Sequence, residues 1–156
     1  MTVDASPDDR ELTLAPLDEN VDHVRGSPAG RLIIEYGDYE CPYSRQAFHA
    51  IEVVEQQLSG NMRFAFRHFP LTRIHPHALA AAAFDRGRAG RTVLERIQRD
   101  VDSGLASGQV LGTPTLFIDG VVHRGGYDPP TLLAALAGPL PAEKAAGPFT
   151  FPRRPQ

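Results

Sequence analysis

Cysteine is almost absent from this chain, and Cys41 stands alone among 156 residues. That excludes an internal disulfide framework and any zinc site built on several thiolates. Tryptophan is missing, and Lys144 is the only lysine; every other basic residue is arginine. A formal net charge of −3 leaves no excess basic field to grip nucleic-acid phosphates by counterion release. No apolar run approaches the ~18 residues that a membrane span requires. The opening MTVDASPDDRELTLAPLDENVD has neither a basic n-region nor an apolar h-region. These absences lead us to expect a cytoplasmic protein, without membrane insertion, whose thiol stays reduced.

What is present fits one soluble globular domain. Apolar residues at 42% and charged residues at 22% are too rich in core formers for a disordered chain. At this length roughly 70% of the unfolded surface can be buried, so neither crosslinks nor a metal is needed for folding.

Charge is unevenly placed. Residues 1–24 hold seven acids against Arg10 alone, a local charge of −6 that leaves +3 for the rest. This acidic leader reads as a solvated arm, although the loose alternation of Leu12, Leu14 and Leu17 also allows an edge strand. Residues 139–156 follow Gly138 with five of the 14 prolines and read as a flexible tail. The domain is expected between them, over residues 25–138.

Within it, LIIEY (32–36) is a near-continuous apolar run, as for a strand covered on both faces. After Cys41-Pro42, the spacing of Ala47, Phe48, Ile51, Val54 and Leu58 predicts a helix stopped at Gly60-Asn61. Residues 62–69 alternate as a second strand. Pro76 and the ALAAAAF run predict another helix. Thr92 with Glu95 forms a capping box for a further one, with Val93, Leu94, Ile97 and Val101 on its face. Residues 115–118 and 121–123 pair across the tight-turn dipeptide Asp119-Gly120, and Asp128 caps a last helix with Leu132, Leu133 and Leu136 inward. The order β-α-β-α-α-β-β-α gives an α/β fold, a mixed central sheet flanked by helices.

Chemistry points to Cys41. At a strand-to-helix junction with Pro42 at the first helical position, unpaired amides and the helix dipole stabilise a thiolate, the form that attacks disulfides. Asp38 and Glu40 oppose this, since nearby negative charge favours the neutral thiol. Ser44 returns to the same face one turn on and can donate a hydrogen bond to the sulfur or serve the helix start. Thr113-Pro114, just before a strand, is compatible with a cis bond or an ordinary trans turn. His75-Pro76-His77 lacks further metal ligands and reads as a helix-entry turn. His68 reads as a half-buried strand histidine, and Arg63, Arg67 and Arg73 as a solvated edge or an anionic-thiol site. Tyr36, Tyr39 and Tyr43 read as packing or rim residues around Cys41.

Taken in order, GDYECPYS after an apolar strand, RHFPL about thirty residues on, and GTPTLFIDG before an Asp-Gly hairpin resemble the DsbA-like branch of the thioredoxin-fold thiol–disulfide oxidoreductases. The resemblance covers about residues 25 to 138. It implies a thioredoxin-like fold with Cys41 as nucleophile and catalytic places for Ser44, Thr113 and Pro114. It also implies substrate contacts from Pro42, Tyr43 and Thr113, Pro114 being the cis-proline. Two departures stand out. The second motif cysteine of that family is Ser44 here, so one chain cannot run a dithiol cycle. The helical insertion before the cis-proline strand is mostly absent, only residues 84–111 filling the gap. The expected function is thiol–disulfide exchange through a single cysteine, with protein or small-molecule thiols and disulfides as partners. No cofactor and no metal are expected, glutathione or another small thiol being a possible co-substrate. A redox-inactive peptide-binding module and a glutathione-dependent transferase or isomerase are the alternatives.

Overall fold

A computed structural model describes residues 14–72, 77, 78, 80 and 91–139 of the chain. Its elements are β1 (His23–Gly26), β2 (Arg31–Gly37), α1 (Pro42–Leu58), β3 (Met62–His68), α2 (Arg91–Ala106), β4 (Thr115–Ile118), β5 (Val121–His123) and α3 (Pro129–Ala137). The five strands form one sheet in the order β1-β3-β2-β4-β5. Only β2 and β3, the pair joined through α1, run parallel; the other pairs are antiparallel. The mixed sheet flanked by helices is the thioredoxin-like fold, and α2 lies between β3 and β4 in the chain.

The two faces of β2 explain its near-continuous apolar sequence. Ile33 faces a core with Ile51 and Val54 of α1 and Leu132 and Leu136 of α3. Ile34 and Tyr36 face the opposite core, with Phe69, Val110 and Phe117, against which Val101 of α2 packs. Each fully buried aliphatic side chain of this kind contributes ~1.5–3 kcal/mol. At the β4–β5 turn Asp119 and Gly120 both take positive φ, +48° and +83°, as an Asp-Gly hairpin turn requires. The Asp119 carboxylate accepts from Arg31 and from the Leu32 amide, fastening the turn to β2. Asp128 caps α3 as expected, accepting from the Thr131 amide at 3.0 Å.

Four expectations need correction. The boundary at residue 24 falls inside β1, which pairs along β3. Leu14 and Leu17 pack against the core, so the described part of the leader is not a free arm. Arg67 is no solvated edge residue; it is fully buried. Its five N–H donors meet both oxygens of Asp22, the carbonyls of Ala15 and Pro16, and the Tyr36 hydroxyl, all at 2.9–3.0 Å. Tyr36 in turn lies 2.7 Å from Ser103 of α2, whose own hydroxyl donates to the Asp100 carbonyl. The face of β3 that carries Arg67 is thus covered by the leader and α2, which alternation alone does not reveal. Finally, Leu94 points outward at 51% exposure, while Val93 and Ile97 of the same helix turn inward. The helix expected after Pro76 falls mostly outside the described residues, as do Arg73 and the His75-Pro76 step. Among the described residues no helix is long and apolar enough to cross a membrane.

Candidate functional site

The carboxyl end of β2 leads directly into the site. Gly37 closes the strand, where an added Cβ would stand 2.5 Å from the Phe66 ring, so only glycine fits between β2 and that ring. Asp38 then turns the chain: one carboxylate oxygen accepts from the Glu40 amide and the other from the Leu71 amide, both at 2.9 Å. Glu40 accepts from the His77 amide. Both acids are therefore engaged in holding loops.

Cys41 occupies the N-cap of α1 with extended backbone (φ −76°, ψ 118°), and Pro42 follows in the first turn. The thiol is 4% exposed, more enclosed than a helix-start nucleophile read from sequence would be. Residues remote in sequence close over it: the sulfur lies 3.6 Å from the Thr113 carbonyl, to which the thiol donates. The Thr113–Pro114 bond is cis.

Burial alone would push the Cys41 thiol up. It is outweighed by the Ser44 amide, the Thr113 side chain, the Ser44 hydroxyl and the Tyr43 amide, which together hold the thiol below the ordinary cysteine value. The Ser44 hydroxyl is placed for this because its oxygen accepts from the Asp38 amide at 3.2 Å, leaving its proton for the sulfur. The Thr113 hydroxyl is buried without a hydrogen-bond partner. The structure so brings Cys41, Ser44 and Thr113 together, with Pro114 adjoining. Pro42 and Tyr43 lie on the exposed side of the first turn, Tyr43 at 60% exposure.

The other tyrosines separate. Tyr36 belongs to the far core, and Tyr39 stacks on Phe66 with ring centroids 5.2 Å apart. His68 is 1% exposed, deeper than half-buried, and edge-on to Tyr39. Among the described residues no cluster of His, Cys, Asp or Glu could hold a metal ion.

Sequence reasoning missed Glu35. It sits in the middle of β2, fully buried on the α1 side, and neither carboxylate oxygen has a hydrogen-bond partner. Burial pushes its carboxyl up to about 8, against the pull of Arg25 and with a smaller push from the Cys41 charge. The signal was available: one acid inside an apolar strand immediately upstream of the cysteine loop. Tyr127 also faces the site; burial first, then the charges of Tyr43 and Cys41, raise its hydroxyl above the ordinary value.

Comparison with known proteins follows the same lines. Residues 32–100 match the family model of the DSBA-like thioredoxin domain. Among curated proteins, a Na(+)/H(+) antiporter NhaA 1 of Mycobacterium sp. (strain KMS) is 31% identical over 83% of this chain. The match spans 29% of that antiporter, so the chain corresponds to under a third of such a relative. Among solved structures, BdbD from Bacillus subtilis superposes with a TM-score of 0.61 at 14% identity, covering 76% of this chain and 92% of its own. Wolbachia pipientis alpha-DsbA1 gives 0.58 at 19% identity, covering 79% and 92%. At these identities the solved structures speak for the fold.

Proposed function

We propose that the chain is a thiol–disulfide oxidoreductase of the DsbA-like kind that residues 32–100 resemble, working through one nucleophile, Cys41. The observation that carries this reading is the Cys41 sulfur at the α1 N-cap, held toward thiolate by the Ser44 and Tyr43 amides and the Ser44 and Thr113 side chains. The thiolate attacks one sulfur of a substrate disulfide; the S–S bond breaks, the second sulfur leaves as thiolate, and Cys41 is left in a mixed disulfide. Ser44 cannot resolve that adduct, since its hydroxyl is too weak an acid and nucleophile. An external thiol, glutathione or a protein cysteine, attacks instead and returns Cys41 as thiolate. A cytoplasmic thiol pool would suit that step. Thr113 offers its backbone to an extended protein segment laid beside the cis-proline loop. Glu35, buried without a hydrogen-bond partner and with its carboxyl pushed up to about 8, holds a proton at neutral pH and serves as a donor to a departing thiolate.

The test is exposure of the protein to oxidised glutathione at neutral pH with mass spectrometry. A Cys41 adduct forming faster than on free cysteine and released by added thiol is expected. No adduct would leave a redox-inactive peptide-binding module, and a non-covalent glutathione complex would favour a transferase or isomerase.

The likeness to a segment of antiporter chains favours a second, compatible reading, in which this domain works alongside a Na(+)/H(+) antiporter as the matching segment does within those chains. Co-purification with such an antiporter would support it; recovery without it under the same conditions would remove it.

A further inference from the structure

A cavity of about 420 Å³ lies on the far side of the cysteine loop, between the β1 edge of the sheet and the start of α1. Its size falls in the ~300–1,000 Å³ range of small-molecule clefts. The walls are apolar: Phe48 from α1, with Phe64 and Phe66 from β3. Arg25 reaches into it from β1, directly opposite Phe64 in the strand register. Its guanidinium carbon lies 4.8 Å from the Phe64 ring centroid and 5.0 Å from that of Phe48. The Nε sits 2.9 Å from a Glu55 oxygen, but neither Nε nor Nη2 makes a hydrogen bond, and both atoms are shielded from solvent. Arg25 is thus ion-paired with Glu55 on one side, its side chain 37% exposed overall, and Nη2 is the shielded donor left without an acceptor; a carboxylate is the acceptor that fits it. Arg45 adds a second cation at the rim. The Asp38 carboxylate, which also lines the cavity, already accepts from two loop amides.

We propose that this cavity binds a small aromatic carboxylate, its ring among Phe48, Phe64 and Phe66 and its carboxylate on Arg25 Nη2. Ser44 forms part of the same wall, so the ligand sits behind the turn that sets the Cys41 sulfur, apart from the face that meets a disulfide. The site stands independently of the redox reading, because none of its recognition groups touches the sulfur.

The test titrates 3-phenylpropionate into the whole chain, followed by backbone amide NMR. Expected are saturable shifts at Arg25, Phe48, Phe64 and Ser44, and binding about tenfold weaker for the neutral 3-phenylpropanamide, as a charge-assisted contact demands. Arg25→Gln should weaken the acid by a similar factor and leave the amide unchanged. No saturable shift, shifts confined to residues outside the cavity, or equal affinity for acid and amide would overturn the proposal. The acid–amide comparison holds on the unaltered protein even if the variant does not fold.

Discussion

Replacing Glu35 by Gln changes the pH dependence of stability in a direction the structure fixes. The carboxyl is fully buried with both oxygens unpartnered, and burial carries it from 4.5 to about 8. A folded state that binds its proton more tightly than the unfolded chain loses stability as pH rises. The loss begins near the unfolded value of 4.5, accumulates up to about 8, and is constant above. At ~1.4 kcal/mol for each tenfold in proton affinity, the ionised carboxylate costs the fold up to about 5 kcal/mol. Gln keeps the shape and the unsatisfied polar head but cannot ionise, so the variant matches the parent near pH 5 and exceeds it by several kcal/mol at pH 9.

Cys41 works in the opposite sense, since its folded value lies below the unfolded one: its contribution is present above the unfolded value and fades as pH falls through the folded one. The comparison is therefore made in a Cys41→Ala background, which removes that opposing slope. Urea unfolding midpoints at half-unit steps from pH 5 to 9 provide the readout. Curves for Cys41→Ala and Cys41→Ala/Glu35→Gln should diverge progressively with pH. Parallel curves would mean that Glu35 titrates like a solvated carboxylate, and the argument from burial would be wrong.

Iodoacetamide alkylation of Cys41 against pH should give an apparent pKa below the ~8.5 of free cysteine, and Ser44→Ala should move it upward by removing a hydroxyl aimed at the sulfur. An unchanged profile would take Ser44 out of the site. Asp22→Asn leaves the fully buried Arg67 without its counter-charge and should cost ~3–5 kcal/mol in urea unfolding; a loss below ~1 kcal/mol would show that Arg67 finds other acceptors. Ser44→Cys under mild oxidant should lose two protons with an intramolecular linkage, because both side chains lie on the first turn of α1; exclusively intermolecular dimers would contradict that geometry.

Features set by neighbours in sequence could be read before folding. The α1 face, the Asp119-Gly120 turn, the Asp128 cap and the Cys41–Pro42 helix start each depend on residues within about one turn of each other. Features set by distant partners could not. Arg67 is buried because Asp22, 45 positions earlier, and the Ala15 and Pro16 carbonyls reach across the sheet face to it. The enclosure of Cys41 depends on Thr113, 72 positions later. An acid-rich leader counted by charge looks like a solvated arm; Asp22 was indistinguishable from its neighbours until the fold supplied Arg67.

Asp22 and Glu35 show why a count of charges could not locate the reactive end of the sheet. Both acids are buried, and for both burial is the largest influence and raises the carboxyl. For Asp22 the Arg67 guanidinium, the Asp18 amide and Arg99 reverse that push and hold the carboxyl below its usual range. For Glu35 only the charge of Arg25 pulls the other way, no hydrogen bond reaches either oxygen, and the carboxyl stays high. The compensated acid lies on the face where the leader and α2 are fastened, and the uncompensated one on the face that feels the Cys41 charge. A fold selected for stability alone would satisfy or replace Glu35, since a buried acid without a partner contributes nothing to packing that Leu or Met would not. Under the proposed function, the proton it holds on the face that feels the Cys41 charge is one that thiol chemistry can draw on, a use that offsets the stability it costs.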